Sequence, residues 1–437
     1  MLERKIVKTL LEWKNSPDKK ALLVKGARQV GKTWAIRQFA KRHYDYFVEI
    51  NFERNPGFKA AFDGDLDTRS VVTKLTAMGA GKFVPGRTLV FFDEIQVCPN
   101  ARTAIKFLVE DGSYDFIESG SLLGVNYRDV SSYPVGAERQ IDMFPLDFEE
   151  FLWARGVGED AIAYLRDCMA NMRPVNPVIH EQMLKYFAEY VVVGGMPAVV
   201  DMFVKTGDIG RVHIAQKTIA DNYRDDIAKY AGGDKLKVKA VFDSIPEQLS
   251  ANNRRFMLSA IESGASMRKY GDATMWLSDA GVAYYCFNLK SLALPFAFNE
   301  KRNLFKLYMA DTGILCCLAM KNKAFELLSG EWGINGGALA ENAVAAMLVK
   351  KGHPLYYYDE KGRCELDFVV NGEDGICVIE VKSGNDYRKH TSLDKVNEKN
   401  NGAVKSFVVL CKGNVQRDGN IVYLPIYLAG LDRVKRV

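Results

Sequence analysis

Short apolar runs alternate with helical patterns over the first 155 residues of this 437-residue chain. The apolar runs occupy residues 21–25, 46–50, 89–93 and 115–118, and stretches with helical periodicity separate them. Short runs that are apolar throughout are typical of buried parallel strands, because such strands are covered on both faces. The pattern therefore predicts a doubly wound parallel α/β domain over residues 1–155.

The rest of the chain has a different pattern. Residues 156–215 lack strand signals and are predicted to be helical, with breaks at 173–177 and 194–197. Residues 216–325 are also mostly helical, and residues 273–282 resemble the second helix of a winged-helix unit and the start of its wing. A winged helix can bind DNA or serve in packing or oligomerisation, and both alternatives stay open. Residues 326–437 are predicted to form a helix, two strands, a helix and a strand.

Composition narrows the class of protein. Hydrophobic residues make up 48% of the chain and charged residues 26%, as in soluble globular proteins. No run of eighteen apolar residues occurs and the first residues are charged, so we expect neither a membrane span nor a signal peptide, and hence a cytoplasmic location. None of the eight cysteines belongs to a CxxC pair, which favours reduced core residues over disulfides or a zinc site.

The net charge of +5 is unevenly distributed. Residues 1–44 contain 12 lysine and arginine residues against 3 acidic ones, and residues 380–437 contain 11 against 6. The ends are therefore basic and the middle is acidic. Such asymmetry is typical either of solvated helix faces or of surfaces that contact nucleic acid or nucleotide phosphates.

The sequence GARQVGKT at residues 26–33 matches the phosphate-loop pattern GxxxxGK[ST] and follows an apolar strand directly. In this pattern backbone N–H groups surround the phosphates at the start of the next helix. Lys32 is expected to reach the β and γ phosphates of ATP, and the Thr33 hydroxyl is expected to bind Mg²⁺. The predicted nucleotide-binding residues are Gly26, Ala27, Arg28, Gln29, Val30, Gly31, Lys32, Thr33 and Trp34.

Two carboxylates end the apolar strand at residues 89–93. Asp93 is predicted to hold Mg²⁺ through water, and Glu94 to polarise the attacking water, which together predict ATP hydrolysis. After the next strand, Ser119 and Ser121 could sense the γ-phosphate or form a plain turn. A transition-state arginine is also expected, from this chain or from a neighbouring subunit, and Arg139 and Arg128 are candidates.

These motifs resemble a family of prokaryotic AAA-type P-loop ATPases. The resemblance rests on GARQVGKT, on FFDEIQ at 91–96, on the Ser-Gly-Ser sequence at 119–121, and on the segments at 143–152, 194–197 and 308–313. It implies a P-loop domain over residues 1–155, a helical lid over 156–215 and a winged-helix-like unit over 216–325. It also implies an uncharacterised C-terminal domain with a restriction-endonuclease-like fold over 326–437.

The C-terminal region contains a second group of acidic residues. A predicted hairpin with its loop at residues 372–375 sets Asp367 opposite Glu380, and strand periodicity places Lys382 on the same face. Glu341, on a preceding helix, can approach this face. The set has the D…ExK arrangement of restriction-endonuclease-like proteins, in which carboxylates bind Mg²⁺ or Mn²⁺ and lysine helps to activate water. The alternative is a nuclease-fold domain that only binds nucleic acid or protein partners, or one whose charged residues form a structural salt-bridge network.

The leading hypothesis from the sequence is a Mg²⁺-dependent ATPase that acts as a nucleotide-driven switch for a DNA-binding or nuclease-like C-terminal module. Basic residues after Lys382 suit a phosphate backbone, although a solvated helix face is the simpler use of most of them. The alternative hypothesis is a regulatory or defence-type ATPase that controls protein partners and cuts no nucleic acid. A homo-oligomer is compatible with both.

Overall fold

The strands predicted in the N-terminal region all form, and they build one parallel sheet. The structure, a computed structural model, describes residues 2–121, 136–251, 254–320, 324–330, 332–360, 364–399 and 402–431. The chain divides into two units, one of Arg4–Phe144 and one of Met1–Glu3 with Pro145–Val437. None of the described helices is both long enough and apolar enough to cross a membrane.

The Arg4–Phe144 unit is a parallel α/β fold, as predicted. Its strands are β1 (Ala21–Gly26), β2 (Tyr46–Asn51), β3 (Thr88–Asp93), β4 (Asp115–Ser121) and β5 (Glu138–Asp142), in the order β2-β3-β4-β1-β5. Its helices are α1 (Ile6–Lys14), α2 (Lys32–His43), α3 (Thr68–Ala77) and α4 (Pro99–Asp111). All four neighbouring strand pairs are parallel.

Alternation along each strand divides the apolar side chains of this unit between the two faces of the sheet. Leu22 and Val24 of β1 pack with Phe39 of α2, whereas Leu23 packs with Ile105 of α4. Because both faces are buried, the strands consist almost wholly of apolar residues. The polar residues that remain are concentrated near the carboxyl ends of the strands.

The larger unit begins with helices, as its sequence predicts. They are α5 (Phe148–Ala154), α6 (Glu159–Ala170), α7 (Pro177–Val193), α8 (Pro197–Thr206), α9 (Ile209–Tyr230), α10 (Lys235–Ser250) and α11 (Met267–Asp279). The predicted breaks at 173–177 and 194–197 lie between helices. The proposed domain boundaries stay predictions, and α9 continues through residue 215 without a break.

Two sheets follow these helices. Strands β6 (Ala283–Leu289) and β7 (Glu300–Met309) pair antiparallel, and β8 (Leu355–Asp359) and β9 (Glu365–Leu366) extend them into a sheet in the order β7-β6-β8-β9. Helices α12 (Thr312–Met320), α13 (Ala324–Leu328) and α14 (Gly333–Lys350) lie between β7 and β8 in sequence. The β6–β7 pair follows the segment where the wing was predicted to begin, and it belongs to a larger sheet that also contains strands from the C-terminal region. The winged-helix assignment therefore stays a prediction.

The C-terminal sheet is mixed. It contains β10 (Phe368–Asn371), β11 (Ile376–Lys382), β12 (Val404–Cys411), β13 (Gln416–Asp418) and β14 (Ile421–Pro425), in the order β10-β11-β12-β14-β13. Helix α15 (Thr391–Glu398) connects β11 to β12. The predicted helix, two strands, helix and strand correspond to α14, β10, β11, α15 and β12, whereas β8, β13 and β14 were missed. Strand β13 is short and exposed along its length, so it has no apolar pattern.

Candidate functional site

The phosphate loop lies between β1 and α2, where the sequence places it. Gln29 and Gly31 have positive φ angles of 67° and 94°, which curve the backbone sharply before the helix. A Cβ atom on Gly26 would overlap the carbonyl oxygen of Met143, so a side chain at this position would displace the loop. Helix α2 begins at Lys32 with no side-chain cap, and its first N–H groups are available to an anion.

Lys32 folds back over its own loop. Its ammonium donates hydrogen bonds to the carbonyl oxygens of Gly26 and Ala27, at 2.8 and 3.0 Å. Only 8% of the residue is exposed. This burial lowers the pKa of the Lys32 ammonium to about 8, although the nearby Glu94 and Asp93 carboxylates act to raise it. The loop therefore holds a buried cation in a position to meet phosphate oxygens.

Asp93 is surrounded by neutral hydrogen-bond donors. Its carboxylate oxygens lie 3.2 and 3.3 Å from the Thr33 hydroxyl, and the Asn51 side-chain amide donates to it at 2.8 Å. The Ser119 hydroxyl donates a further hydrogen bond. Asn51 and Ser119 pair with Asp93 across the parallel strands, so these groups meet at one edge of the sheet. The prediction that Asp93 and Thr33 lie together is consistent with this arrangement, and their oxygens are ligands that Mg²⁺ accepts.

Glu94 leaves the strand in an unusual backbone conformation. Its φ angle is 56°, in the left-handed region that residues other than glycine seldom adopt. One carboxylate oxygen accepts a hydrogen bond from the Gln96 side-chain amide at 2.5 Å. The buried Gln96 amide oxygen has no hydrogen-bond partner in the described part of the chain. The Glu94 carboxylate is thus held by the side chain of its neighbour Gln96.

Other predicted residues take varied positions. Ala27 and Val30 are buried, Arg28 and Gln29 are exposed on the loop, and Trp34 is 41% exposed. Ser119 belongs to β4, so the alternative interpretation of this residue as part of a turn is wrong. Arg128 and the Ser121 side chain lie outside what the structure describes.

Arg139 does not approach the loop. It is exposed on β5 and pairs with Leu22, which lies four residues before Gly26 along β1. Four residues of strand span about 13 Å, so its backbone is well below the carboxyl edge of the sheet. This placement therefore gives no support to a transition-state role for Arg139 in its own chain. The distance could not be foreseen, because no sequence pattern indicates the strand register of β5.

Three residues of this site were missed from the sequence. Asn51 directly follows the predicted strand at residues 46–50 and is the last residue of β2, which pairs with β3. Its place at a strand end is the signal that could have indicated it, since parallel strands end at a common edge. Gln96 lies within the FFDEIQ motif, but its contact with Glu94 depends on the turn. Arg4 donates to the carbonyl oxygens of Val30 and Phe144, at 3.0 and 2.7 Å, and no local pattern indicates this distant contact.

A second acidic group lies on the other face of the same sheet. Glu118 of β4 is fully buried, and neither of its carboxylate oxygens has a hydrogen-bond partner among the described residues. Burial and the Glu138 carboxylate raise the pKa of Glu118 well above its usual value, while Arg102 acts to lower it. Arg102 and Glu138 form a buried ion pair at 3.0 Å. This group stands apart from the phosphate-loop residues because adjacent strand residues face opposite sides.

The C-terminal acidic residues follow the predicted register. Phe368 pairs with Ile379 and Asn371 with Ile376, which continues to Asp367 opposite Glu380. Asp367 accepts the Val381 backbone N–H at 2.8 Å, and Lys382 lies 2.8 Å from Glu380. Burial and the nearby Asp367 carboxylate raise the pKa of Glu380 to about 7, while Lys382 and Lys306 act to lower it. Three of the four predicted residues are therefore brought together.

Glu341 has other partners. It accepts hydrogen bonds from the Tyr308 hydroxyl and from the Lys306 ammonium, the latter at 3.2 Å, and forms an ion pair with Arg254. Lys306 also lies 2.9 Å from Glu365. Within the described ranges no group of three histidine, cysteine or acidic side chains could hold a metal ion. Because Glu341 and Glu380 are already paired with basic side chains, the described cluster does not present three free carboxylates to a divalent metal.

Comparisons with known proteins match three successive regions of the chain to family models. Residues 18–152 match the family model of an AAA domain, residues 184–324 a domain of unknown function (DUF8612) and residues 336–429 another domain of unknown function (DUF4143). No curated protein matches the chain. The AAA-domain match contains the phosphate loop, Asp93, Glu94 and Ser119.

Solved structures that are similar to the chain have low identity to it. The Walker-type ATPase paby2304 of Pyrococcus abyssi is 14% identical, with a TM-score of 0.44, and the match covers 73% of this chain and 96% of that one. The RuvB Holliday junction branch migration motor of Thermotoga maritima is also 14% identical, with a TM-score of 0.28 and coverage of 70% and 92%. At these TM-scores neither likeness carries an inference about activity.

Proposed function

We propose that the protein is a Mg²⁺-dependent ATP hydrolase. The observation that carries this proposal is the position of the Asp93 carboxylate, 3.2 Å from the Thr33 hydroxyl at the start of α2 and beside the buried Lys32. This places oxygen ligands for a metal next to N–H donors and a cation for phosphates. The AAA-domain match over residues 18–152 supports the same assignment.

Each residue has a distinct task in this proposal. Thr33 and Asp93 hold Mg²⁺, which neutralises charge on the phosphates when it is bound. Lys32 exchanges its two loop carbonyl partners for oxygens of the β and γ phosphates. Glu94 polarises the attacking water through the oxygen that does not accept the Gln96 hydrogen bond, and Ser119 contacts the γ-phosphate.

The proposal also needs a positive charge at the transition state. Because Arg139 is exposed on β5 and lies far along the strand from the loop, we propose that an arginine of a neighbouring copy takes this role, with Arg128 of the same chain as the alternative. The protein would then hydrolyse ATP as a homo-oligomer. Turnover per chain would rise with protein concentration as the sites are completed.

Substituting Lys32→Ala tests the proposal. We expect ATP turnover to fall by about 100-fold or more, because the phosphates lose their buried cation. The matched control is Lys41→Ala, an exposed lysine of the same helix, which should leave turnover unchanged. Phosphate release is measured for both variants at saturating Mg²⁺ and ATP, and undiminished hydrolysis by Lys32→Ala would refute the assignment.

The finer proposal is that nucleotide state switches a DNA-binding C-terminal module. Its support is the exposed basic set around α15, which includes Arg388 and Lys399. Counterion release predicts that DNA affinity falls steeply with salt, and that Arg388→Gln with Lys399→Gln reduces the log–log slope by about 0.9 per lost contact. Absence of DNA binding at low salt would instead favour the alternative, a regulatory switch that controls protein partners.

A further inference from the structure

Among the described residues of the larger unit, the most buried lysine or arginine side chain lies next to acidic residues. Lys306 projects from β7 and is fully buried, as is Glu341 of α14. Its ammonium lies 3.2 Å from a Glu341 oxygen and 2.9 Å from a Glu365 oxygen of β9. A buried ammonium is costly unless it is paired, and here it bridges two carboxylates that come from separate elements.

The other charges of the cluster are arranged around this contact. Arg254 forms an ion pair with Glu341, and Lys382 forms one with Glu380 at 2.8 Å. The charge of Lys306 also acts on Glu380, whose partner across the hairpin is Asp367. Three basic side chains therefore accompany four carboxylates, of which Glu341, Glu365 and Glu380 are in ion pairs.

In a metal-dependent nuclease of the D…ExK type, carboxylates bind a divalent cation beside the lysine of the motif. Here a second ammonium, that of Lys306, donates to Glu341 and Glu365. Lys306 comes from β7, a strand that precedes the D…ExK residues by about 60 positions, so the motif itself gives no indication of it.

We propose that the Lys306 ammonium neutralises Glu341 and Glu365 and thereby keeps Glu341 from completing a divalent-metal site with Asp367 and Glu380. The cluster then stabilises the junction of β7, α14, β9 and the β10–β11 hairpin, and it functions without metal. This inference does not depend on ATP hydrolysis.

Metal binding tests the first half of the proposal. Mn²⁺ binding is measured by electron paramagnetic resonance on the full chain without nucleotide, in an Asp93→Asn background that removes the proposed metal ligand of the nucleotide site. We expect no bound Mn²⁺ at micromolar concentration. One bound Mn²⁺ that disappears on adding Asp367→Asn would overturn the proposal.

Thermal unfolding tests the second half. Lys306→Met leaves Glu341 and Glu365 without their shared cation and should lower Tm by about 10 °C. The double variant Lys306→Met with Glu341→Gln removes the charge together with its partner and should recover most of that loss. Lys301→Met, on the same strand, is the control and should leave Tm unchanged. ATP turnover should be the same in all three variants.

The double variant also keeps the test decisive if Lys306→Met fails to accumulate as folded protein, because the proposal then requires the double variant to fold. A double variant as unstable as the single one would overturn the proposal. An unchanged Tm in Lys306→Met would overturn it as well.

Discussion

The nucleotide site and the C-terminal cluster contain similar residue types, but their acidic residues have opposite kinds of partner. Asp93 receives hydrogen bonds from a threonine, an asparagine and a serine side chain, all of which are neutral. Glu341 faces Lys306 and Arg254, which are positively charged. A carboxylate with neutral donors keeps its negative charge available to an external cation, whereas a carboxylate with basic partners does not.

The two lysines differ in the same way. Lys32 donates to backbone carbonyl oxygens, which phosphate oxygens can replace at little electrostatic cost. Lys306 donates to carboxylates, and removing it would leave buried charges uncompensated. A lysine near carboxylates therefore belongs to a proposed ligand site in one region and to a structural ion pair in the other. The partners of each group, rather than the motif, distinguish the two.

The largest effect that separates the two regions is expected from matched glutamate substitutions. Glu94→Gln should retain ATP binding but lower turnover by about 10²–10⁴-fold, because the amide cannot act as a base. Glu380→Gln makes the same chemical change in the C-terminal cluster and should leave both quantities unchanged. Binding is measured with a fluorescent ATP analogue and turnover by phosphate release.

Two outcomes would break the comparison. Loss of ATP binding in Glu94→Gln would mean that the Glu94 carboxylate, through its hydrogen bond with Gln96 or its charge near Lys32, has a structural role in the site. Reduced turnover in Glu380→Gln would mean that the C-terminal cluster contributes to hydrolysis, contrary to its assignment as a structural element.

The nucleotide site could be predicted from the sequence to the extent that its parts are local. The phosphate loop is continuous in sequence, and Asp93 and Glu94 end an apolar run, so strand order was not needed to place them. Asn51 and Arg4 were missed because they reach the site through the pairing of strands or across the whole unit. The position of Arg139 could not be predicted for the same reason, since it depends on the register of β5.

For the C-terminal cluster, prediction from the sequence reached a different limit. The hairpin register that sets Asp367 opposite Glu380 was correctly predicted, because a short loop fixes the pairing of two neighbouring strands. The partner that decides what the cluster does, Lys306, comes from a strand of another sheet. No periodicity or spacing links residue 306 to residues 341 and 365. Local geometry was therefore predictable, while the charge balance of the cluster was not.

The smallest effect is expected on the other face of the nucleotide-binding sheet, where Glu118 differs from Asp93 in having no hydrogen-bond donor among the residues that the structure describes. Its pKa is raised above 4.5 in the folded protein, so the folded state holds a proton that the unfolded state releases. Stability should therefore decline as pH rises from about 4.5 through the folded-state pKa, at about 1.4 kcal/mol for each unit by which that pKa is raised. Glu118→Gln keeps the size of the side chain but cannot ionise, so it should remove this part of the decline and raise Tm at pH 7.5, while differing little from the native protein at pH 4.5. Thermal unfolding at both pH values measures the difference, and an equal change in Tm at the two would show that ionisation of Glu118 does not limit the stability of the sheet.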